Sequence, residues 1–134
     1  RRHPEDPFKG NCVYHGDCLE GMASGSALKA RLGQSANFVG MDDPVWKFES
    51  YYLAQALVTY ILTLSPERIV LGGGVMSRQE LFPMIRKDVV KLLGGYINSD
   101  KIDNIDEYIT GSALGGDQGV MGCMKLAYDA ACFS

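Results

Sequence analysis

The stretch Arg68-Ile69-Val70-Leu71-Gly72-Gly73-Gly74 decides the fold class, because a short β-branched run stops abruptly on three glycines. Residues 69–71 predict a buried parallel strand, and a helix is expected from about Gln79 to Leu93, where Gly94-Gly95 end it. Ligands of open α/β sheets gather at the carboxyl ends of strands, and glycine leaves room for a ligand against the main chain. The glycine turn is therefore either a nucleotide contact or a plain connection between strand and helix.

The same order of elements returns near the end of the chain. Tyr108-Ile109 predicts a strand, residues 111–119 form a second glycine-rich turn, and residues 120–132 predict a final helix. This alternation predicts an α/β fold with parallel strand pairing, although only about two strands are visible. The second turn matches neither a phosphate-binding loop nor a dinucleotide fingerprint, so close helix packing is the expected reason for Gly119 and Gly122.

Two more helices are predicted upstream. The first runs from about Cys18 to Leu32 with Gly33 as its stop, and residues 33–42 form a polar loop. The second begins with Asp43 as cap and Pro44 in the first turn, and it continues to Leu64. This helix is so apolar that we expect burial on most sides or a contact within a homodimer. The aromatic residues expected in that core or contact are Trp46, Phe48, Tyr51, Tyr52 and Tyr60.

Composition narrows the possible functions. The sequence has 134 residues, which suits one domain, and 13 Lys+Arg against 16 Asp+Glu, a net charge of −3 that gives no basic footprint for nucleic acid. No apolar stretch is long enough for a membrane span, and the charged opening is no signal peptide. Because the first residue is Arg rather than Met, we expect a fragment or a processed chain.

The opening loop carries the most specific chemistry. Cys12, His15 and Cys18 follow a Cys-x2-His-x2-Cys spacing, and thiolate and imidazole are the ligands that zinc prefers. His3 is the nearby candidate for a fourth ligand, and four protein ligands would make the zinc structural. The alternative is a pair of ordinary thiols with two exposed histidines. Cys123 and Cys132, in the predicted final helix, are expected to be reduced thiols.

Glu20 directly follows this motif, near the predicted start of a helix. A carboxylate there complements the helix dipole, which is the more ordinary reading. It could also accept hydrogen bonds from a polyol.

Taken in order, these motifs resemble the ROK family of bacterial sugar kinases and repressors, and its fructokinase branch in particular. The resemblance covers essentially the whole chain. The segments that carry it are Cys12–Gly25, Asp43–Trp46, Tyr51–Leu57, Ile69–Met76 and Gly111–Gly119. One departure is Ser26, where relatives often have Pro.

The resemblance implies an α/β fold of the actin/hexokinase (ribonuclease H-like) type, in which two lobes close over a sugar and ATP. Residues 1–134 resemble the C-terminal lobe with a zinc-binding loop at 1–18, and the N-terminal lobe, with the catalytic base, is absent. The family's zinc ligands correspond to Cys12, His15 and Cys18. A further ligand in relatives is a His upstream of this sequence, for which His3 would substitute.

The resemblance also assigns the other site residues. Glu20 corresponds to a glutamate that binds sugar hydroxyls, and the ATP-binding segment corresponds to Gly72, Gly73, Gly74, Val75 and Met76. The implied cofactors are structural Zn²⁺, and Mg²⁺ with ATP. The implied activity is cytoplasmic phosphorylation of a hexose, fructose to fructose 6-phosphate, with the isolated 134 residues inactive. The alternative is a zinc-bearing regulatory or interaction module of a ROK-type repressor, whose helix-turn-helix is not present here.

Overall fold

Two short strands and seven α-helices form the part of the chain that the structure, a computed structural model, describes, namely residues 1–132. The last two positions of the predicted lobe lie outside the described residues. In chain order the elements are α1 (Leu19–Met22), α2 (Gly25–Leu32), α3 (Val45–Leu64), β1 (Ile69–Leu71), α4 (Leu81–Leu93), α5 (Asp100–Asp103), α6 (Ile105–Tyr108), β2 (Ile109–Gly111) and α7 (Gln118–Cys132).

The two strands pair in parallel, as the alternation of elements predicts. Ile69 lies opposite Ile109, and Leu71 lies opposite Gly111. The second strand begins at Ile109 rather than Tyr108, because Tyr108 ends α6. The prediction that 69–71 is a buried strand is wrong for one face: Val70 is 59% exposed, so the described part of the chain does not cover that face of the sheet.

Helices α3 and α4 pack against each other and contribute much of the core. The predicted start of α3 is correct to within one residue: the helix begins at Val45 rather than Pro44, and the Asp43 carboxylate accepts a hydrogen bond from the Val45 amide at 2.8 Å. Its C-terminal end is also as predicted, with Ser65 in the left-handed conformation. The largest fully buried core side chains include Trp46, Met22, Leu28, Leu81, Ile85, Ile109 and Val89.

The helix predicted from Cys18 to Leu32 is divided into α1 and α2. Ser24 between them is extended, and its hydroxyl accepts a hydrogen bond from the Ala27 amide at 3.1 Å. Serine competes in this way with helical backbone bonds, which is why a periodic apolar pattern does not keep the segment continuous. The predicted stop is confirmed, because Gly33 is left-handed at φ 68°.

The remaining segments differ in how much they bury. The turn-rich connection predicted between Tyr96 and Glu107 contains the short helices α5 and α6. Helix α7 has the predicted position but contributes no buried residue. Its exposed apolar side chains are Val120, Met121, Met124, Leu126 and Tyr128. No helix among residues 1–132 has the length and apolar character needed to cross a membrane.

Candidate functional site

The opening loop brings two cysteines and a histidine together. The ligand atoms of Cys12, His15 and Cys18 all lie within 4.8 Å of one another, and Cys12 Sγ is 3.8 Å from His15 Nδ1. Cys12 and Gly16 form a tight antiparallel turn with two backbone hydrogen bonds of 3.1 and 2.9 Å. Cys18 is the N-cap residue of α1, so the turn and the helix start fix the three ligands.

Two glycines allow this loop to close on itself. Gly10 has φ 94°, and a Cβ there would lie 2.2 Å from the Gly16 carbonyl oxygen. Gly21, in α1, lies against the same carbonyl, at 2.0 Å from the position of a Cβ. The sequence motif predicts the ligands, whereas the requirement for these glycines follows from how the loop packs.

The electrostatics of the loop favour a metal-binding thiolate. Hydrogen bonds from the backbone of His15 and Tyr14, and from the Cys18 side chain, lower the pKa of the Cys12 thiol to about 7. The thiolate is the form that ligates metals. Two thiols and one imidazole within one short loop form a donor set that suits zinc.

His3, the predicted fourth ligand, is placed elsewhere and is not part of this group. Its ring packs edge-on against Phe48 and Tyr51, with ring centroids 5.2 and 4.8 Å apart. Its Nδ1 accepts a hydrogen bond from the Glu5 amide. The loop follows a path that directs His3 to α3, which sequence proximity to the cysteines does not reveal.

A buried ion pair holds this opening segment against α2 and α3. Arg31 Nη1 lies 2.5 Å from Asp6 Oδ1, and the Tyr52 hydroxyl donates a hydrogen bond of 2.7 Å to Asp6 Oδ2. Burial alone would raise the pKa of Asp6, but the bonds from Arg31 and Tyr52 outweigh it, and the pKa lies below its usual value. No periodicity or motif marks Asp6 in the sequence, so this anchor was not predicted.

Glu20 lies in the first turn of α1, two residues after Cys18, and its side chain is exposed. This position suits both of the predicted roles. The carboxylate is close to the N-terminus of α1, and it is open to a hydroxylated ligand.

The glycine turn after β1 lines a cavity of about 480 Å³. Of the predicted nucleotide-binding segment, Gly72, Gly73, Gly74 and Met76 line this cavity, whereas Val75 lines a neighbouring cavity. The second glycine-rich turn contributes Gly111, Ser112, Gly115 and Gly116, and α7 contributes Gln118. Parallel pairing explains this convergence, because the carboxyl ends of both strands lie at one edge of the sheet.

The second glycine turn therefore contributes more than its weak motif indicates. The expected reason for Gly119 and Gly122, close helix packing, is wrong within the described residues, since a Cβ at either position meets nothing within 4 Å. The glycines that matter line the cavity one turn earlier. Gln118 was also missed, since a single glutamine at a helix start carries no recognisable signal.

A second cavity of about 530 Å³ lies beside the first. Gly74 and Ser77 line both cavities, and the second is also lined by α2 residues that include Gly25 and Lys29. The helix pair that follows the cysteine loop and the glycine turn after β1 thus border adjoining spaces. This arrangement can hold one ligand near the glycine turns and a second group beside α2.

Comparison with known proteins places the chain in a family. Residues 3–130 match the ROK family. A Bacillus subtilis protein named "Putative fructokinase" is 46% identical over 131 residues, which cover 97% of this chain and 44% of that protein. The fructokinase of Pediococcus pentosaceus is 42% identical over 126 residues, which cover 94% of this chain and 43% of that protein.

A solved structure shows the same fold. The crystal structure described as "a putative sugar kinase" from Cytophaga hutchinsonii superimposes with a TM-score of 0.59 at 18% identity, and the match covers 92% of this chain and 48% of that chain. The chain therefore spans less than half the length of these relatives. It has an α/β sugar-kinase fold and belongs to the ROK family.

Proposed function

We propose that residues 1–134 are the C-terminal lobe of a cytoplasmic, homodimeric kinase that transfers a phosphoryl group from ATP to a hexose, with fructose as the preferred sugar. The fructokinase names of several relatives support the substrate class. The observation that carries the proposal is the grouping of three metal-ligating atoms within 4.8 Å, the last of them on Cys18, two residues before Glu20.

In this proposal Cys12, His15 and Cys18 hold a structural Zn²⁺, and the fourth ligand is a residue of the full-length protein outside residues 1–134, in the place of the upstream His of relatives. The ion would fix the loop relative to the start of α1, where Cys18 is the N-cap residue. Because Glu20 lies one residue beyond the first position of α1, fixing the loop also fixes the carboxylate that would bind the sugar hydroxyls.

The nucleotide would occupy the cavity at the two glycine turns, with Gly72, Gly73, Gly74 and Met76 in its wall and Val75 in the wall of the adjoining cavity. Mg²⁺ would accompany ATP, since phosphoryl transfer requires neutralised and positioned phosphates. The side chains that line the main cavity are uncharged. The catalytic base would therefore come from the N-terminal lobe.

Metal analysis tests the zinc loop. We expect about one zinc ion per purified chain, and loss of that ion in Cys18→Ser. Cys123→Ser is the matched control, because Cys123 is exposed on α7 and lies outside the ligand group. A metal-free wild-type chain, or equal zinc content in both variants, would contradict the loop assignment.

Kinetics on the full-length protein test the sugar contact. Fructose-dependent ADP release is expected, and Glu20→Gln should raise the KM for fructose by tenfold or more, on the order of one charge-assisted hydrogen bond. Glu67→Gln serves as control, since Glu67 is also exposed. No sugar-dependent ADP release, combined with specific DNA binding, would instead support the repressor-type module.

A further inference from the structure

Gln118 is unusual among the residues of α7. Of residues 118–132, it and Asp129 are half-buried, while the rest of the helix is exposed. Its carboxamide lies on the backbone of Gly72, where a Cβ would be 2.7 Å from Nε2 and 2.8 Å from Oε1. Because Gly72 has no side chain, the Gln118 amide can occupy this space.

The other polar side chains around the glycine-turn cavity each make one local hydrogen bond. The Ser77 hydroxyl donates to the Gly74 carbonyl at 2.7 Å, and the Gln79 amide donates to the Met76 carbonyl at 3.4 Å. The Ser112 hydroxyl accepts from the Leu114 amide at 3.2 Å. Within residues 1–132, by contrast, no hydrogen bond involves the Gln118 carboxamide. Both polar atoms of its carboxamide therefore remain available to a ligand.

We propose that Gln118 determines the base specificity of the nucleotide site by hydrogen-bonding the adenine edge. The inference rests on the proposed function, since it assumes that a nucleotide occupies this cavity. A carboxamide presents a donor and an acceptor side by side, and glutamine pairs in this way with the N7 acceptor and the N6 amino donor of adenine. Guanine presents two acceptors, N7 and O6, at the same edge and cannot satisfy both atoms of the amide.

The apolar part of the cavity lining suits the base of a nucleotide. The residues that line it are glycine, serine, glutamine and apolar residues, and none of them carries a charge that would neutralise phosphate. The walls formed by Leu71 and Met76 suit a flat apolar ring, while the amide at one edge supplies direction. The geometry thus assigns recognition to Gln118 and enclosure to the glycine turns.

Titrations of the full-length protein with ATP and with GTP, followed by the backbone amide NMR signals of Gly72 and Gly111, test this role. The wild-type protein should bind ATP about tenfold more tightly than GTP. Gln118→Leu should weaken ATP binding by about tenfold and leave GTP binding within twofold. Gln34→Leu is the control, because Gln34 is exposed and outside the cavity. Gly72→Ala, which displaces the amide without removing it, should also reduce the preference for ATP.

The outcomes separate the two proposals. If the wild-type protein binds neither nucleotide, the nucleotide site itself is wrong, and the role of Gln118 falls with it. If the wild-type protein binds ATP but Gln118→Leu weakens ATP and GTP equally, the site stands and the assignment to the base is overturned. An unchanged preference for ATP in Gln118→Leu overturns it as well.

Discussion

Glu49 is the least compensated ionisable group among the described residues. It lies in α3 with 1% of its surface exposed, and within residues 1–132 neither carboxylate oxygen has a hydrogen-bond partner. Burial raises the pKa of Glu49 to about 8, and the charge of Arg31 opposes that rise only in part. Arg31 already pairs with Asp6, so one cation faces two acids. We therefore expect Glu49 to be mostly protonated near pH 7.

This raised pKa predicts a pH-dependent stability. Between the ordinary value of 4.5 and about 8, the folded chain binds a proton that the unfolded chain releases, so stability falls as pH rises through that window. Glu49→Gln, which stays neutral, should be more stable than wild type at pH 8 by about 1–3 kcal/mol and equal to it near pH 4. Urea unfolding at both pH values measures this, with the exposed Glu107→Gln as control. If the difference in free energy of unfolding between Glu49→Gln and wild type is the same at both pH values, the predicted effect of burial on Glu49 is wrong.

Gly21 predicts a steric effect on the cysteine loop. A Cβ at this position would lie 2.0 Å from the Gly16 carbonyl oxygen and 2.9 Å from Cys12 Cβ. Backbone atoms cannot move aside as a flexible side chain can, so Gly21→Ala should displace the loop despite the helix preference of alanine. We expect zinc affinity to fall by at least tenfold in a competition with a chelator. Gly25→Ala is the matched control, because a Cβ there meets nothing within 4 Å. Equal affinities in the two variants would rule out this packing role.

At the level of the elements, capping rather than apolar periodicity decides the boundaries near the cysteine loop. The apolar pattern predicts one helix from Cys18 to Leu32, but α1 ends at Met22 with Ala23 as its C-cap, and Ser24 caps α2. The sequence shows that small residues lie at this break. Whether the backbone of Ser24 is helical or extended depends, however, on where α1 packs. Helix α1 contacts both α2 and α3.

The Ser24 cap can be measured directly. Its hydroxyl accepts a 3.1 Å hydrogen bond from the Ala27 amide, so Ser24→Ala should destabilise the chain by about 1 kcal/mol. Ser99 occupies the same position before α5 but makes no side-chain capping bond, and Ser99→Ala should change the free energy of unfolding by less than about 0.5 kcal/mol. Equal losses in chemical denaturation would show that the capping bond does not contribute.

At the scale of the whole molecule, the chain leaves the apolar surface of α7 exposed and spans less than half the length of its relatives. The chain spans 44% and 43% of two fructokinase-named relatives, and α7 contributes no side chain to the described core. Helix α3, the predicted homodimer contact, packs against α4 and buries Trp46 and Tyr52, whereas its Tyr60, Leu62 and Leu64 are exposed. The homodimer stays a prediction. A further group of exposed apolar residues lies on α7.

The isolated 134 residues should lack kinase activity. Phosphoryl transfer requires positioned phosphates, a metal ion and an oriented nucleophile, and the side chains that line the glycine-turn cavity are uncharged. A coupled assay with fructose and ATP should therefore show no ADP release above background from this chain, while the full-length protein should be active. Sugar-dependent ADP release from the isolated chain at the full-length rate would contradict the two-lobe proposal.

The sequence by itself determined the α/β class, the parallel pairing of two strands, the limits of α3 and the three metal-ligand candidates. These features depend on local spacing: β-branched runs before glycine, a capping Asp43, and a Cys-x2-His-x2-Cys motif. Glu20 was likewise located by its place after that motif.

Only the tertiary structure decided the path of His3, the anchor between Asp6 and Arg31, and the meeting of the two glycine turns with Gln118. The anchor and the meeting of the glycine turns join residues that are at least 25 positions apart in sequence. His3 is near the cysteines in sequence, but its ring packs against α3. Contacts of this kind depend on how packed elements orient one another, and a chain of residue types does not record that orientation.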